Sequence, residues 1–120
     1  MNNRILGNRG EQAAAFYLIS HGYQILERNY RSPVGEIDII ASIDTTVAFV
    51  EVKTRRSLAY GRPCEAVDYR KQQRIIRAAG WYIRGHNLSG RSLRFDVMEV
   101  FASSGGSMQI NHIRGAFETT

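Results

Sequence analysis

The chain has 120 residues, 43 % of them hydrophobic, enough to bury the core of one compact domain (residues 1–120) without disulfides or a structural metal. Its single cysteine, Cys64, excludes an intramolecular bridge, and without a charged-then-apolar leader or a long apolar run the expectation is a cytoplasmic protein that does not enter membranes. A net charge of +5 favours an anionic partner, but the make-up of that charge says more: fourteen arginines against two lysines, Lys53 and Lys71. Arginine is the better bidentate phosphate ligand, whereas lysine is a compact donor whose pKa responds to its surroundings.

In chain order, Gly10 to His21 reads as a short amphipathic helix ended by Gly22, with Ala14, Ala15, Leu18 and Ile19 as its apolar stripe. Glu11 precedes these by three, four, seven and eight residues, so it points along the buried face. Its ordinary explanation is a first-turn carboxylate favoured by the helix dipole. Tyr23 to Tyr30 reads as a strand, Ser32-Pro33 as a turn, and Gly35–Ala41 and Val47–Thr54 as two further strands, which together suggest an antiparallel meander. A polar, arginine-rich stretch from Arg55 to Arg62 then leads past Pro63 into a helix reaching about His86. Ser92 to Ala102 returns to β character, 103–107 is a turn, and Met108 to Ile113 is a last strand.

The two central strands carry the clearest chemistry. Strand alternation sets Glu36, Asp38 and Ile40 on one side, and Val47, Phe49, Glu51 and Lys53 on another. A tight turn at Asp44-Thr45 then places Asp38 opposite Glu51, with β carbons about 4.5 to 5.5 Å apart. Two carboxylates held that close repel unless a cation lies between them, and hard oxygen ligands suit Mg²⁺ or Mn²⁺. In such a site Asp38 and Glu51 hold the metal, the backbone carbonyl of Val52 adds a third oxygen, and Glu11 completes the shell. Lys53 orients or deprotonates the attacking water and offsets charge on a pentacovalent phosphorus. Glu36, opposite Lys53 in this register, pairs with that lysine or supports the metal indirectly.

On the long helix, Arg70, Arg74, Arg77 and Arg84 follow one another at intervals of four, three and seven and share a narrow basic face. Val67, Ala78 and Tyr82 mark the apolar side, and Lys71 falls among them, a second candidate for a supporting role. A solvated charged face and a snorkelling lysine are the common meanings of such patterns. Likewise a Glu-x-Lys pair on a strand is frequent by chance, so the case rests on acidic and basic residues from separate elements converging where apolar ones are expected.

Other motifs say less. Gly7-x-x-Gly10-Glu11 lacks the strand before it and the Lys-Ser/Thr ending of a phosphate loop, and His21, His86 and His112 have no zinc spacing and are expected at the surface or at helix ends. Asp96, alternating with apolar neighbours, reads as a structural bonding partner. Tyr60, Trp81 and Tyr82 could stack on bases, but core packing is their default.

The blocks Gly10-Glu11-x-x-Ala14, Arg28-Asn29-x-Arg31, Gly35-Glu36-Ile37-Asp38-Ile39-Ile40, Phe49-Val50-Glu51-Val52-Lys53-x-Arg55, Ala66-Val67-x-x-x-Lys71 and Arg94-Phe95-Asp96-Val97 resemble the YraN-like family of uncharacterised bacterial proteins, from about Gly7 to Val100. That family is similar in turn to the PD-(D/E)XK nuclease superfamily, whose archaeal Holliday junction resolvases share the order helix Glu, strand Asp, strand Glu-x-Lys. Ile37 stands where the superfamily name has Pro, at a position that varies. The resemblance implies an α/β, restriction-endonuclease-like fold, a mixed central sheet flanked by helices, with Glu11, Asp38, Glu51 and Lys53 in the catalytic positions.

Two functions are therefore in view. The first is a metal-dependent endonuclease acting on DNA, including branched or damaged DNA, with phosphates held by Arg55, Arg56, Arg62, Arg70, Arg74 and Arg77. A symmetric cut on a four-way junction would call for two active sites and hence a homodimer. The second is a non-catalytic nucleic-acid-binding or protein-interaction module that retains the nuclease fold.

Overall fold

The computed structural model describes residues 2–56, 67–103 and 105–119; Tyr60, Arg62, Pro63 and Cys64 lie outside the described residues. The elements run α1 (Asn3–Ser20), β1 (Gln24–Ser32), β2 (Gly35–Ile43), β3 (Thr46–Arg56), α2 (Tyr69–Gly85), β4 (Ser92–Ala102) and β5 (Met108–Phe117). Sheet order follows chain order, and every neighbouring pair is antiparallel except β3 with β4. The meander of β1 to β3 is as the sequence suggests, and α2 supplies the long crossover that a parallel pair requires.

The helices lie on opposite faces. Ala14, Ala15 and Leu18 of α1 pack on Ile39, Ala41, Ala48, Val50, Met98 and Val100. Ile75, Ala78, Ala79 and Tyr82 of α2 pack on Ile37, Ile40, Val47, Phe49, Phe95 and Val97. Strand β3 is covered on both sides, so Val47 to Glu51 is buried without a break, which is why this segment reads as a continuous apolar run ending in a charged residue. The result is an α/β, restriction-endonuclease-like fold: a five-stranded mixed sheet flanked by helices. No helix of the described residues is long and apolar enough to cross a membrane.

Helix α1 begins seven residues earlier than its apolar stripe suggests. Asn2 caps it, its side chain accepting the Ile5 N–H at 2.9 Å, so Gly7 and Gly10 lie within the helix and do not precede it. Ile19 is 57 % exposed and leaves the predicted stripe, which ends at Leu18. The helix then closes at Gly22, as its sequence predicts, with a φ of 90° there. Gly22 N–H donates to the Ile19 carbonyl and Tyr23 N–H to that of Leu18, and Tyr23 buries its ring in the same core as Leu18. Helix α2 starts at Tyr69 behind an Asp68 cap, and β5 continues four residues past the predicted end, to Phe117.

A candidate carboxylate site at the fork of β2 and β3

Helix α1 is drawn onto β3 by a missing side chain. A β carbon at Gly10 would stand 2.9 Å from both Cβ and Cγ2 of Thr54, too close for any residue but glycine. That approach sets Glu11, the next residue, over the sheet's end. Glu11 then lines a cavity of about 280 Å³ together with Asp38, Glu51, Val52, Thr54 and the first turns of α1. The Gly10-Glu11 dipeptide therefore acts as a packing contact that aims a carboxylate.

The β2–β3 hairpin turns at Asp44-Thr45 as predicted, with Asp44 at a φ of 51°, and Ile43 faces Thr46. Its ladder ends with Ile39 opposite Val50, just before Asp38 and Glu51. There the strands part. Instead of a backbone pair, Asp38 Oδ2 accepts the Val52 N–H at 2.8 Å. The two carboxyl groups are near enough for each to act on the other's ionisation.

The fork has a local cause. Ile37 and Ile40 both enter the α2 core while Ile39 and Ala41 enter the α1 core, so the alternation slips around Asp38. Opposite, between the pairs Tyr30–Ile37 and Arg28–Ile39, lies Asn29 with a φ of 53°, a left-handed conformation that asparagine tolerates better than most residues. The predicted common side for Glu36, Asp38 and Ile40 is therefore not formed. Glu36 turns to solvent and pairs with Arg31 at 3.2 Å, not with Lys53.

Glu51 is 8 % exposed. Burial, followed by the charge of Asp38, pushes its carboxyl up to about 7, against the opposing pull of Lys71. Burial also raises Asp38, offset in part by the Val52 N–H. Glu11 is raised by burial and by Asp38, while Arg28 and a hydrogen bond from Asn29 act the other way. In the sequence Arg28 and Asn29 stand out only through the family blocks; the signal for them is a turn-forming asparagine inside a strand.

Lys71 Nζ lies 3.2 Å from Glu51 Oε2, so the ammonium beside Glu51 comes from α2. Lys53 falls on the same side of β3 as Glu51 by alternation and is half-buried. Arg55 turns its Nε to within 3.5 Å of the buried Glu99, and Arg56 reaches Asn3 at 3.5 Å. Arg70, Arg74, Arg77 and Arg84 are all exposed, and Arg84 lies over the Trp81 ring at 4.9 Å. Tyr82 is core and Trp81 is 41 % exposed. Among the described residues no three His, Cys, Asp or Glu side chains stand grouped as a ready-made metal cage.

A second buried carboxylate behaves differently. Asp96, 0 % exposed, accepts Arg94 Nε and Nη2, each at 2.9 Å, and the Gly115 N–H at 3.0 Å. It also meets His112 Nε2 at 2.8 Å. Burial pushes its carboxyl up, but the bonds from His112, Arg94 and Gly115 hold it below the ordinary carboxylate range. Asp96 is the structural partner that its sequence context suggests. His112 corrects the expectation of a surface residue: its side chain is 7 % exposed, because the β4–β5 register sets it opposite Met98, two residues from Asp96 on the same side of β4.

Residues 10–100 match the model of the Uncharacterised protein family UPF0102. The chain is 47 % identical to a UPF0102 protein of Clostridioides difficile over 117 residues, spanning 98 % of this chain and 100 % of that one. It is 50 % identical to a UPF0102 protein of Alkaliphilus metalliredigens over 115 residues, 96 % of this chain and 99 % of the other. A relative from Moorella thermoacetica is 47 % identical over 118 residues, 98 % of each. The chain therefore belongs to the uncharacterised family UPF0102, the YraN-like family that its motifs resemble.

Proposed function

We propose that this chain is a Mg²⁺- or Mn²⁺-dependent endonuclease that hydrolyses phosphodiesters in DNA, with branched or damaged DNA as the substrate class to test first. The observation that carries the reading is the Asp38–Glu51 pair: two neighbouring carboxyl groups where the buried run of β3 ends, one of them pushed up to about 7 by burial and by the other. Such a pair is costly without a cation, and it lines an open polar cavity.

The donor set fits a small hard ion. Mg²⁺ keeps several waters and takes one or two carboxylates, and Asp38 and Glu51 supply two. A strand residue's N–H and C=O point to the same flank, and the Val52 N–H is aimed at Asp38, so its carbonyl faces the fork as well. Asp38, Glu51 and the Val52 carbonyl would hold the ion, with Glu11 completing the shell through one of its waters, and the ion when bound supplies charge for phosphate oxygens and a more acidic water. Lys53 orients or deprotonates the nucleophile and offsets charge on the phosphoryl oxygens. Arg70, Arg74 and Arg77 offer phosphate contacts on α2, with Arg55, Arg56 and Arg62 on the segment after the Glu51-Val52-Lys53 run.

One observation favours the second reading, a binding module without cleavage: Lys71 already lies against Glu51, so the pair has an internal counter-charge. Calorimetric titration of Mg²⁺ and Mn²⁺ into the native chain and into Asp38→Asn and Glu51→Gln separates the two. Binding that either substitution weakens by tenfold or more is expected; no carboxylate-dependent binding overturns the nuclease reading. Incubation with single-stranded, duplex, flap and four-way DNA then identifies the substrate.

A further inference from the structure

We infer that Lys71 is a built-in counter-cation, which holds the divalent ion's electrostatic place against Glu51 and gives it up when the ion binds. This rests on the metal reading of the Asp38–Glu51 pair and adds to it a residue that sets the site's affinity.

The local sequence argues that Lys71 is where it is for tertiary reasons. Asp68 caps α2, accepting the Lys71 N–H at 2.8 Å, which makes Lys71 the third residue of the helix. The first turn carries Arg70 and Lys71 and no acidic residue. A cation there opposes the positive end of the helix dipole, so the position is locally unfavourable and is offset by the contact it makes. That contact crosses from α2 to the middle of β3, 3.2 Å from Glu51 Oε2.

The type of cation matters too. Glu51 has a carboxylate partner in Asp38 and an ammonium partner in Lys71, so its side chain is engaged on both sides. Arginine, the basic residue this chain uses fourteen times out of sixteen, would grip a carboxylate with two donors. Lysine offers one hydrated point charge on a flexible stem and releases more readily. The Lys71 side chain is 45 % exposed against 10 % for Glu51, so the ammonium can swing to water while the carboxylate stays. Two carboxylates also neutralise a divalent ion without help, leaving the Lys71 charge without its partner.

The chain's composition makes the test direct. With only two lysines, the full chain labelled with ¹³C-lysine gives two Cε signals, assigned by Lys71→Arg. Saturation with Mg²⁺ is expected to carry the Lys71 signal from its ion-paired position to that of a free lysine. Calorimetry is expected to show Mn²⁺ binding to Lys71→Met about tenfold more tightly than to the native chain, since a cation bordering the ion has gone. An ion-saturated protein whose Lys71 signal has not moved overturns the inference and leaves the metal reading standing, as does unchanged affinity in a folded Lys71→Met. If neither native chain nor variant takes up an ion, the metal reading itself falls and this inference with it.

Discussion

Two buried carboxylates on neighbouring strands show how partners, not burial, decide what a residue is for. Asp96 and Val50 are opposite in the β3–β4 ladder, so Asp96 lies one residue's step from Glu51. Asp96 receives Arg94, His112 and a backbone N–H and stays ionised below the ordinary range. Glu51 faces another carboxyl and is raised from 4.5 to about 7. Between those two values the native chain binds more protons than the unfolded chain, so the Glu51 contribution to stability is full below about 4.5 and is lost as pH rises through about 7. Thermal unfolding of the metal-free protein should therefore show a melting temperature that falls between pH 5 and pH 8, a slope that Glu51→Gln flattens. Added Mg²⁺ should stabilise most at the alkaline end, where the carboxylates are ionised. The fully legible residues were those whose type was out of place, such as a glutamate ending an apolar strand. Asn29 and His112 were not, because their roles depend on a slip in alternation and on the β4–β5 register, which sets His112 opposite Met98 and so beside Asp96.

At the scale of elements, the site depends on how closely α1 approaches β3. Gly10→Ala tests this with opposing effects of known size. Alanine should gain about 1 kcal/mol in helix propensity, but its β carbon would meet three Thr54 atoms at less than 3.0 Å, and overpacking of this kind costs about 1–3 kcal/mol. Thr54 is β-branched and sits on a strand, so it has little room to yield. Net destabilisation in denaturant titrations is expected, together with weaker Mn²⁺ binding because Glu11 moves with the helix, and Gly10→Ala/Thr54→Ala should recover both. The order of elements was legible because hydrophobic period changes from helix-like to strand-like along the chain. The start of α1 was not, since residues 3–9 are nearly all exposed or half-buried and carry no apolar stripe to mark them.

For the whole molecule, the +5 charge and the exposed Arg70, Arg74 and Arg77 place a basic surface on α2 beside the first turn that carries Lys71. The backbone of Arg74 adjoins Gly35 at the start of β2, so this surface borders the fork. If it grips phosphates, replacing the three arginines with glutamine should lower DNA affinity for every sequence alike. The slope of log affinity against log salt should fall by about 0.9 for each phosphate no longer neutralised on duplex DNA, as measured by fluorescence anisotropy, while Mn²⁺ binding is unchanged. An unaltered slope would place the nucleic-acid surface elsewhere. The sequence alone determined the family, the sheet-and-helix order, the hairpin that brings the strands of Asp38 and Glu51 together, and the inward direction of Glu11, because each follows from short-range period, turn chemistry or recognisable blocks. Only the tertiary structure decided that the strands part at Asp38, that Glu36 leaves the site for Arg31, and that the ammonium against Glu51 belongs to Lys71. Those outcomes depend on where α1 and α2 cross the sheet, and that placement is set by packing between residues far apart in the chain.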